Sequence, residues 1–320
     1  MRPIALEPNL PPTFYPGSGS LARFRGRAVG PGGEDWIASV TAQWGREAEG
    51  RTVLPDGSPL ADAIATEPLA WLGAKHVARH GADPALLVKL LDPGQRLPVH
   101  VHPDRAFARS HLSSGYGKSE AWVVLEAPPD AAVHLGFRRN VEVDELAHWV
   151  STQDVAALLG ATNRVPVQAG DAIFCPARLP HAVGPDIFVV ELQEPTDFSV
   201  LLEWQGLPVD PADALLGLSF DEALACVNRT ACDPAGLRGG NGRSLLPAAS
   251  RPFFLAERLA AGLLDPGFSV LIVSAGRGTL SGEWGVQSVA RGDTVLVPFA
   301  AGACRLTGDA VGVRCRPALM

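Results

Sequence analysis

The chain has 320 residues, 47% of them hydrophobic and 19% charged, with 27 basic against 34 acidic side chains and a formal net charge of −7. A chain of this length and apolar content buries a real core, enough for one large or two ordinary domains, and is not a disordered polymer. The acidic balance, without a basic run or basic–aromatic stripe, argues against nucleic acid as a partner, and no stretch reaches the ~18 apolar residues of a membrane span.

From the N-terminus, residues 1–17 hold five prolines and no apolar core of a leader or anchor, so neither is expected. Leu60 to His80 carries apolar residues at helical spacing and ends on Gly81, which predicts a helix. Short apolar runs between Gly/Pro punctuation then predict strands at Leu86–Leu91, Ala121–Leu125, Val133–Phe137, Ala172–Cys175, Ile187–Leu192 and Phe198–Leu202. Val143 to Leu159 is helical in pattern and closed by Gly160, a small insertion at about 141–160 in a mostly β chain. Strand signals resume at Phe268–Val273, Thr294–Val297 and Gly312–Cys315. The segment Gly276–Gly282 reads as a hairpin turn, since it opens no helix and so is no dinucleotide loop. Many short strands with regular turns suggest a sandwich or barrel such as a jelly roll.

A weak internal repeat organises these strands. Gly170-Asp171 and Gly292-Asp293 each lead into an apolar strand that a proline, Pro176 or Pro298, closes six residues after the glycine. Two β units are expected, residues 1–205 and 206–320, with 235–243 as a surface loop in the second. The five cysteines never form a C-x-x-C pair, which fits reduced thiols in a cytoplasmic protein.

The segment Leu97-Pro-Val-His-Val-His-Pro-Asp104 carries the most chemical information. On a strand, His100 and His102 project to one face while Val99 and Val101 face the core. Spacing alone leaves two readings, a divalent metal or a solvent-facing histidine pair on an edge strand. Glu120 enters a buried strand, where an unpartnered carboxylate would be costly, and His181 lies five residues past the strand-ending Pro176. His100, His102, Glu120 and His181 together supply three nitrogens and one carboxylate oxygen, a set that suits one zinc ion and also accepts iron, manganese or cobalt. The second unit has Ala303 where His181 would fall, so it is expected to lack a metal site. His76 and His80 share a helix face without a nearby acid and read as a surface pair.

The order H-x-H, Glu, then His after a G-D-x4-P turn resembles the cupin superfamily. More narrowly, "VHVHPD", "GYGKSEAW", "NRVPVQAGDAIFCPARLPHAVG" and "ELQEPTD" resemble type I mannose-6-phosphate isomerases, over about Glu34 to Trp204. The resemblance implies a bicupin-like jelly roll with a degenerate second unit, and a metal-dependent aldose–ketose isomerase of carbohydrate metabolism that interconverts mannose 6-phosphate and fructose 6-phosphate. It assigns substrate handling or proton transfer to Lys118 and catalytic, pocket-lining roles to Glu191 and Asp197. Trp36 and Trp122 fall within the matched stretch, where Trp122 is a candidate substrate-binding residue and core packing is the other reading for both. The chain departs from the family at two places. His100 stands where the family usually has glutamine, and Leu201 stands where it has an arginine. The second change removes a fixed cation that could hold a phosphate, so either Arg178, Arg164 or Arg105 replaces it, or the substrate is an unphosphorylated mannose, fructose or related aldose. A sugar-binding cupin without catalysis is a third reading, and a monomer or homodimer is expected.

Overall fold

The apolar runs of the sequence all lie on strands in the computed structural model, which describes residues 1–240 and 242–318. Position 241, inside the predicted 235–243 loop, and positions 319 and 320 of the predicted second unit lie outside the described residues. The N-terminal strands make two five-stranded antiparallel sheets. One has the order Glu34–Ile37, Leu87–Leu91, Phe188–Gln193, Glu120–Glu126, Ala172–Cys175. The other has the order Val200–Leu201, His100–Val101, His181–Val183, Ala132–Phe137, Thr162–Pro166. Trp122, Val133, Leu135, Ile173, Val183 and Val189 pack between them. Two facing sheets whose neighbours are far apart in sequence make a jelly roll.

The C-terminal strands build a second pair. A five-stranded sheet runs Ile4–Ala5, Thr294–Val297, Ser269–Ala275, Val311–Pro317, Phe254–Leu259. A four-stranded sheet faces it, in the order Gly262–Leu264, Cys304–Gly308, Arg277–Gly282, Gly285–Ala290. The two pairs pack through one continuous core, with Val88, Val123, Val190 and Leu192 from the first against Phe254, Val270, Ile272 and Val313 from the second. That contact explains why Phe188–Gln193 is buried at every position. Its even-numbered side chains fill the core between the units, and its odd-numbered ones point into the first jelly roll.

The internal repeat is a repeat of structure. Gly170 and Gly292 both take φ +95, a conformation that glycine adopts without steric cost. Asp171 accepts a hydrogen bond from the Gln168 N–H at 3.0 Å, and Asp293 from the Ala290 N–H at 2.8 Å. Each turn feeds a strand that pairs with its counterpart, Ala172–Cys175 with Glu120–Glu126 and Thr294–Val297 with Ser269–Ala275.

Three expectations change in detail. The predicted helix Leu60 to His80 is three short helices, Leu60–Thr66, Pro68–Leu72 and Ala74–His80. Pro68 cannot donate to the preceding turn, and Gly73 turns at φ +82 because a Cβ there would sit 2.6 Å from the Phe299 ring. The segment Gly276–Gly282 is not a hairpin turn, because Arg277–Gly282 is itself a strand, paired with Gly285–Ala290 and Cys304–Gly308 in a different sheet from Ser269–Ala275, and Gly276 joins the two. It turns a corner at φ +71 where any Cβ would lie 2.3 Å from the Asp309 carbonyl. Finally, the division at 205 is no clean cut. Ile4–Ala5 pairs with Thr294–Val297 of the second unit, while Leu215, Leu216, Ala223 and Leu224 pack on the first.

The inserted helices are Val143–Thr152 and Val155–Ala161, the second capped by the Asp154 side chain on the Ala157 N–H. Leu146, Trp149, Val150 and Leu158 pack against Val99, Val101, Ala182 and Val200. The insertion thus covers the outer face of the sheet whose inner face carries the histidines.

Candidate active site

His100 and His181 face each other on neighbouring strands, and His102 follows immediately after Val101. Val99 and Val101 point into the helical layer, so the pleat drives the two imidazoles inward. Each imidazole gives its Nδ1 to a backbone carbonyl. His100 pairs with Pro98 O at 2.8 Å, His102 with Phe198 O at 2.7 Å and His181 with Leu179 O at 2.7 Å. A carbonyl only accepts, so each Nδ1 carries the proton and each Nε2 presents a lone pair. Glu120, the first residue of its strand, completes the set, with Oε2 2.9 Å from His102 Nε2 and Oε1 3.2 Å from His181 Nε2.

The donor atoms of His100, His102, Glu120 and His181 all lie within 4.8 Å of one another, and all four residues are buried. Glu120 Oε2 and His181 Nε2 are buried with no hydrogen-bond partner. Lone pairs turned on one another at this range repel, and burial magnifies the cost. A divalent cation removes that conflict, so the residues present fit a metal ion. Burial, then the neighbouring His181 and His102, holds the His100 imidazole well below its ordinary pKa. Burial and the Lys118 ammonium bring His102 down to about 3. Both rings are therefore neutral, the form that ligates.

The cluster lies against a cavity of about 610 Å³ lined by His100, Lys118, Glu191, Asp197, Lys89 and Leu201, among others. Lys118 Nζ stands 3.1 Å from His102 Nε2 and 3.3 Å from Glu120 Oε2. Glu191 accepts from the Trp122 indole N–H at 3.1 Å, and burial, then the Glu120 charge, pushes its carboxyl up to about 7. Asp197 accepts from the Trp44 backbone N–H at 3.0 Å. Lys118, Glu191 and Asp197 are thus brought together, whereas Trp122, a candidate substrate-binding residue, does not line the cavity: it is buried between the two sheets and reaches the site only through its indole N–H on Glu191.

Arg178 is not brought there. Its guanidinium faces a separate cleft, donating to the Ala225 and Cys226 carbonyls and pairing with Asp104 at 3.5 Å. Arg105 is held by Glu194 and Arg164 by the Asp130 carbonyl. None of the three fills the place of Leu201, which lies beside His100 on the adjacent strand.

The sequence reading missed Lys89. Its ammonium lies 3.1 Å from Glu34, 3.7 Å from Asp197 and 3.9 Å from Glu191, and 4.3 Å from the centroid of the Trp36 ring. The signal was a lone lysine in the middle of the apolar run Leu86–Leu91, on a strand buried at every position. Glu34 joins it and also accepts from the Tyr15 hydroxyl at 2.5 Å. Among the described residues, no helix is long and apolar enough to cross a membrane.

No family model matches the chain. Among curated proteins it is 34% identical over 134 residues to the mannose-6-phosphate isomerase of Streptococcus mutans, a stretch covering 41% of each chain. It is 33% identical over 112 residues to the mannose-6-phosphate isomerase ManA of Bacillus subtilis, 35% of this chain and 34% of that one. The matched sequence therefore spans about two fifths or less of these relatives' length, and is shorter than the stretch from Glu34 to Trp204. Structure extends further. The mannose 6-phosphate isomerase of Bacillus subtilis superposes with a TM-score of 0.78 at 19% identity, covering 99% of this chain and 100% of that one. A variant of the Salmonella typhimurium phosphomannose isomerase gives 0.75 at 16% identity, covering 100% of both chains. Over its whole length the chain has the fold of the phosphomannose isomerases, a cupin-type architecture, and its curated homologues carry the name mannose-6-phosphate isomerase.

Proposed function

We propose that the protein is a metal-dependent aldose–ketose isomerase that interconverts mannose 6-phosphate and fructose 6-phosphate in the cytoplasm, as a monomer or homodimer. The observation that carries this reading is the placement of one convergent three-imidazole, one-carboxylate cluster against a cavity that also holds Lys118, Glu191 and Asp197. The named relatives support it. A mere sugar binder has little use for such a set of proton carriers.

Aldose–ketose interconversion moves one proton between C2 and C1 of the sugar, and another between the two oxygens. When bound, a divalent ion such as zinc supplies Lewis-acid polarisation of the carbonyl and the adjacent hydroxyl. His100, His102, Glu120 and His181 would hold it. The chain supplies the rest. Lys118 lines the cavity next to His102 and Glu120 and is assigned the carriage of the carbon-bound proton. Glu191, with a carboxyl poised near neutrality by burial, is suited to take and return a hydroxyl proton. Asp197, fixed by the Trp44 N–H and Lys89, orients the sugar hydroxyls.

The test is ketose formation from mannose 6-phosphate by the zinc-loaded protein, with free mannose alongside. Turnover of neither sugar overturns the reading. A second reading, an isomerase of unphosphorylated sugars, is favoured by the buried apolar side chain of Leu201 on the cavity wall. Higher kcat/KM on free mannose than on the phosphate would select it.

A further inference from the structure

A sugar phosphate needs a fixed cation for its dianionic end, and most cations near the cavity are already engaged. Lys89 is enclosed by three carboxylates and Lys118 lies against Glu120. Arg96 is spent on Glu203, Arg105 on Glu194, and Arg178 on Asp104 and two carbonyls. Arg46 differs. It lines the cavity, is exposed, and its guanidinium pairs with no carboxylate or carbonyl among the described residues.

The loop that carries Arg46 is built rather than slack. The Arg46 N–H donates to the Gln43 carbonyl at 2.9 Å, and Gly45 between them takes φ +70, as the third position of a type II turn requires. The Gln43 N–H bonds the Glu49 carbonyl at 3.0 Å, and the Glu49 N–H bonds the Arg46 carbonyl at 2.9 Å, which closes the loop on itself. Its tip is tied to the cavity by the Trp44 N–H on Asp197 and by the Trp44 ring, edge-on to Phe198 at 5.3 Å. The neighbouring acid, Glu47, is already paired with Arg51 at 3.3 Å and so does not compete for Arg46.

We propose that Arg46 is the specificity-determining residue that binds the phosphate of the substrate at the mouth of the cavity. This rests on the sugar-phosphate isomerase reading above. The two carboxylates of the outer lining, Asp210 and Asp213, cap and begin one short helix, Pro211–Ala214. They repel an anion from that edge and leave the guanidinium as its favourable seat, where a bidentate contact fixes both position and charge.

The experiment compares zinc-loaded wild type, Arg46→Ala, Arg46→Lys and, as a control for net charge, Arg79→Ala, an exposed arginine outside the cavity lining. Steady-state kinetics use mannose 6-phosphate, with inorganic phosphate as a competing ligand. Arg46→Ala is expected to raise KM for the sugar phosphate and Ki for inorganic phosphate by roughly 10- to 100-fold, the scale of one lost charge-assisted contact, with kcat changed far less. Arg46→Lys is expected to fall between, because the charge survives without the fork, and Arg79→Ala to match wild type. Unchanged KM and Ki in Arg46→Ala, or an equal effect from Arg79→Ala, overturns the assignment. Calorimetric titration of inorganic phosphate into the same proteins separates the two ideas. If wild type binds phosphate and Arg46→Ala does not, the assignment stands even should no isomerase activity be found; if wild type fails to bind phosphate, it falls.

Discussion

Replacing Lys89 by methionine tests how the charged wall of the cavity is held together. The ammonium is 3% exposed and lies 3.1, 3.7 and 3.9 Å from Glu34, Asp197 and Glu191. At an effective dielectric of about 20, each contact is worth on the order of 4–5 kcal/mol before desolvation is subtracted. Together they exceed the several kcal/mol that burying one ammonium costs. Methionine keeps most of the volume, so packing against Trp36 survives and the loss is electrostatic. Three carboxylates are then left buried without their cation, and the expected destabilisation is about 3–5 kcal/mol at pH ~8. The sign of the pH dependence follows. Without the ammonium the carboxyls of Glu191 and Asp197, already raised by burial, rise further, and that of Glu34, which burial pushes up but the Lys89 charge and its hydrogen bonds hold below its ordinary value, rises as well. Groups raised in this way keep their stabilising contribution at low pH and lose it as pH rises through the folded value. The variant is therefore expected to recover part of its deficit at about pH 5.5 by taking up protons. Urea denaturation at both pH values measures this, with a midpoint shift of about 1–2 M at about pH 8 for an m-value near ~3 kcal/mol/M. A shift worth less than ~1 kcal/mol, or one equal at the two pH values, would refute the reasoning. Adding Glu191→Gln to Lys89→Met should cost less than the two changes separately, because the pair is coupled.

The other expectations concern the metal, the proton and the surface. Purified protein is expected to carry about one transition-metal ion per chain, and His181→Ala to abolish it with far-UV circular dichroism preserved, since apolar sheets supply most of the stability. Full metal content in that variant on elemental analysis would end the assignment. Lys118→Met is expected to lower kcat by about 100-fold or more with metal content unchanged, and wild-type turnover would place the proton carrier elsewhere. On the helix Ala74–His80, burial and then His76 depress His80 to about 4 from an ordinary 6.5. A histidine with a depressed pKa contributes stability that is present above pH 6.5 and lost as pH falls toward 4. His80→Gln should narrow the fall in Tm between about pH 7 and pH 5, and an unchanged gap would contradict it.

The sequence by itself determined a good deal. Period-2 alternation around His100 and His102, with Val99 and Val101 facing the other way, decided that two imidazoles share a face, because a pleat leaves no other arrangement. The Gly-Asp turns and their prolines marked two matching strand entries, at Gly170 and Gly292, since those residues impose φ and forbid further pairing locally. What the sequence could not supply was distance. Arg178 lies three residues before His181, inside the turn between Ala172–Cys175 and His181–Val183, yet its left-handed backbone, φ +70, sends its side chain to another cleft. Glu34 and Arg46 lie far from the histidine motif in the chain, and they and Lys89 reach the cavity only because Leu87–Leu91 pairs with Phe188–Gln193 and with Glu34–Ile37 and the loop after Ile37 folds onto Asp197. Which buried charges meet, and which cation is left free, depends on Coulomb interactions over a few ångströms between residues tens to hundreds of positions apart, and only the closed sheets fix those separations.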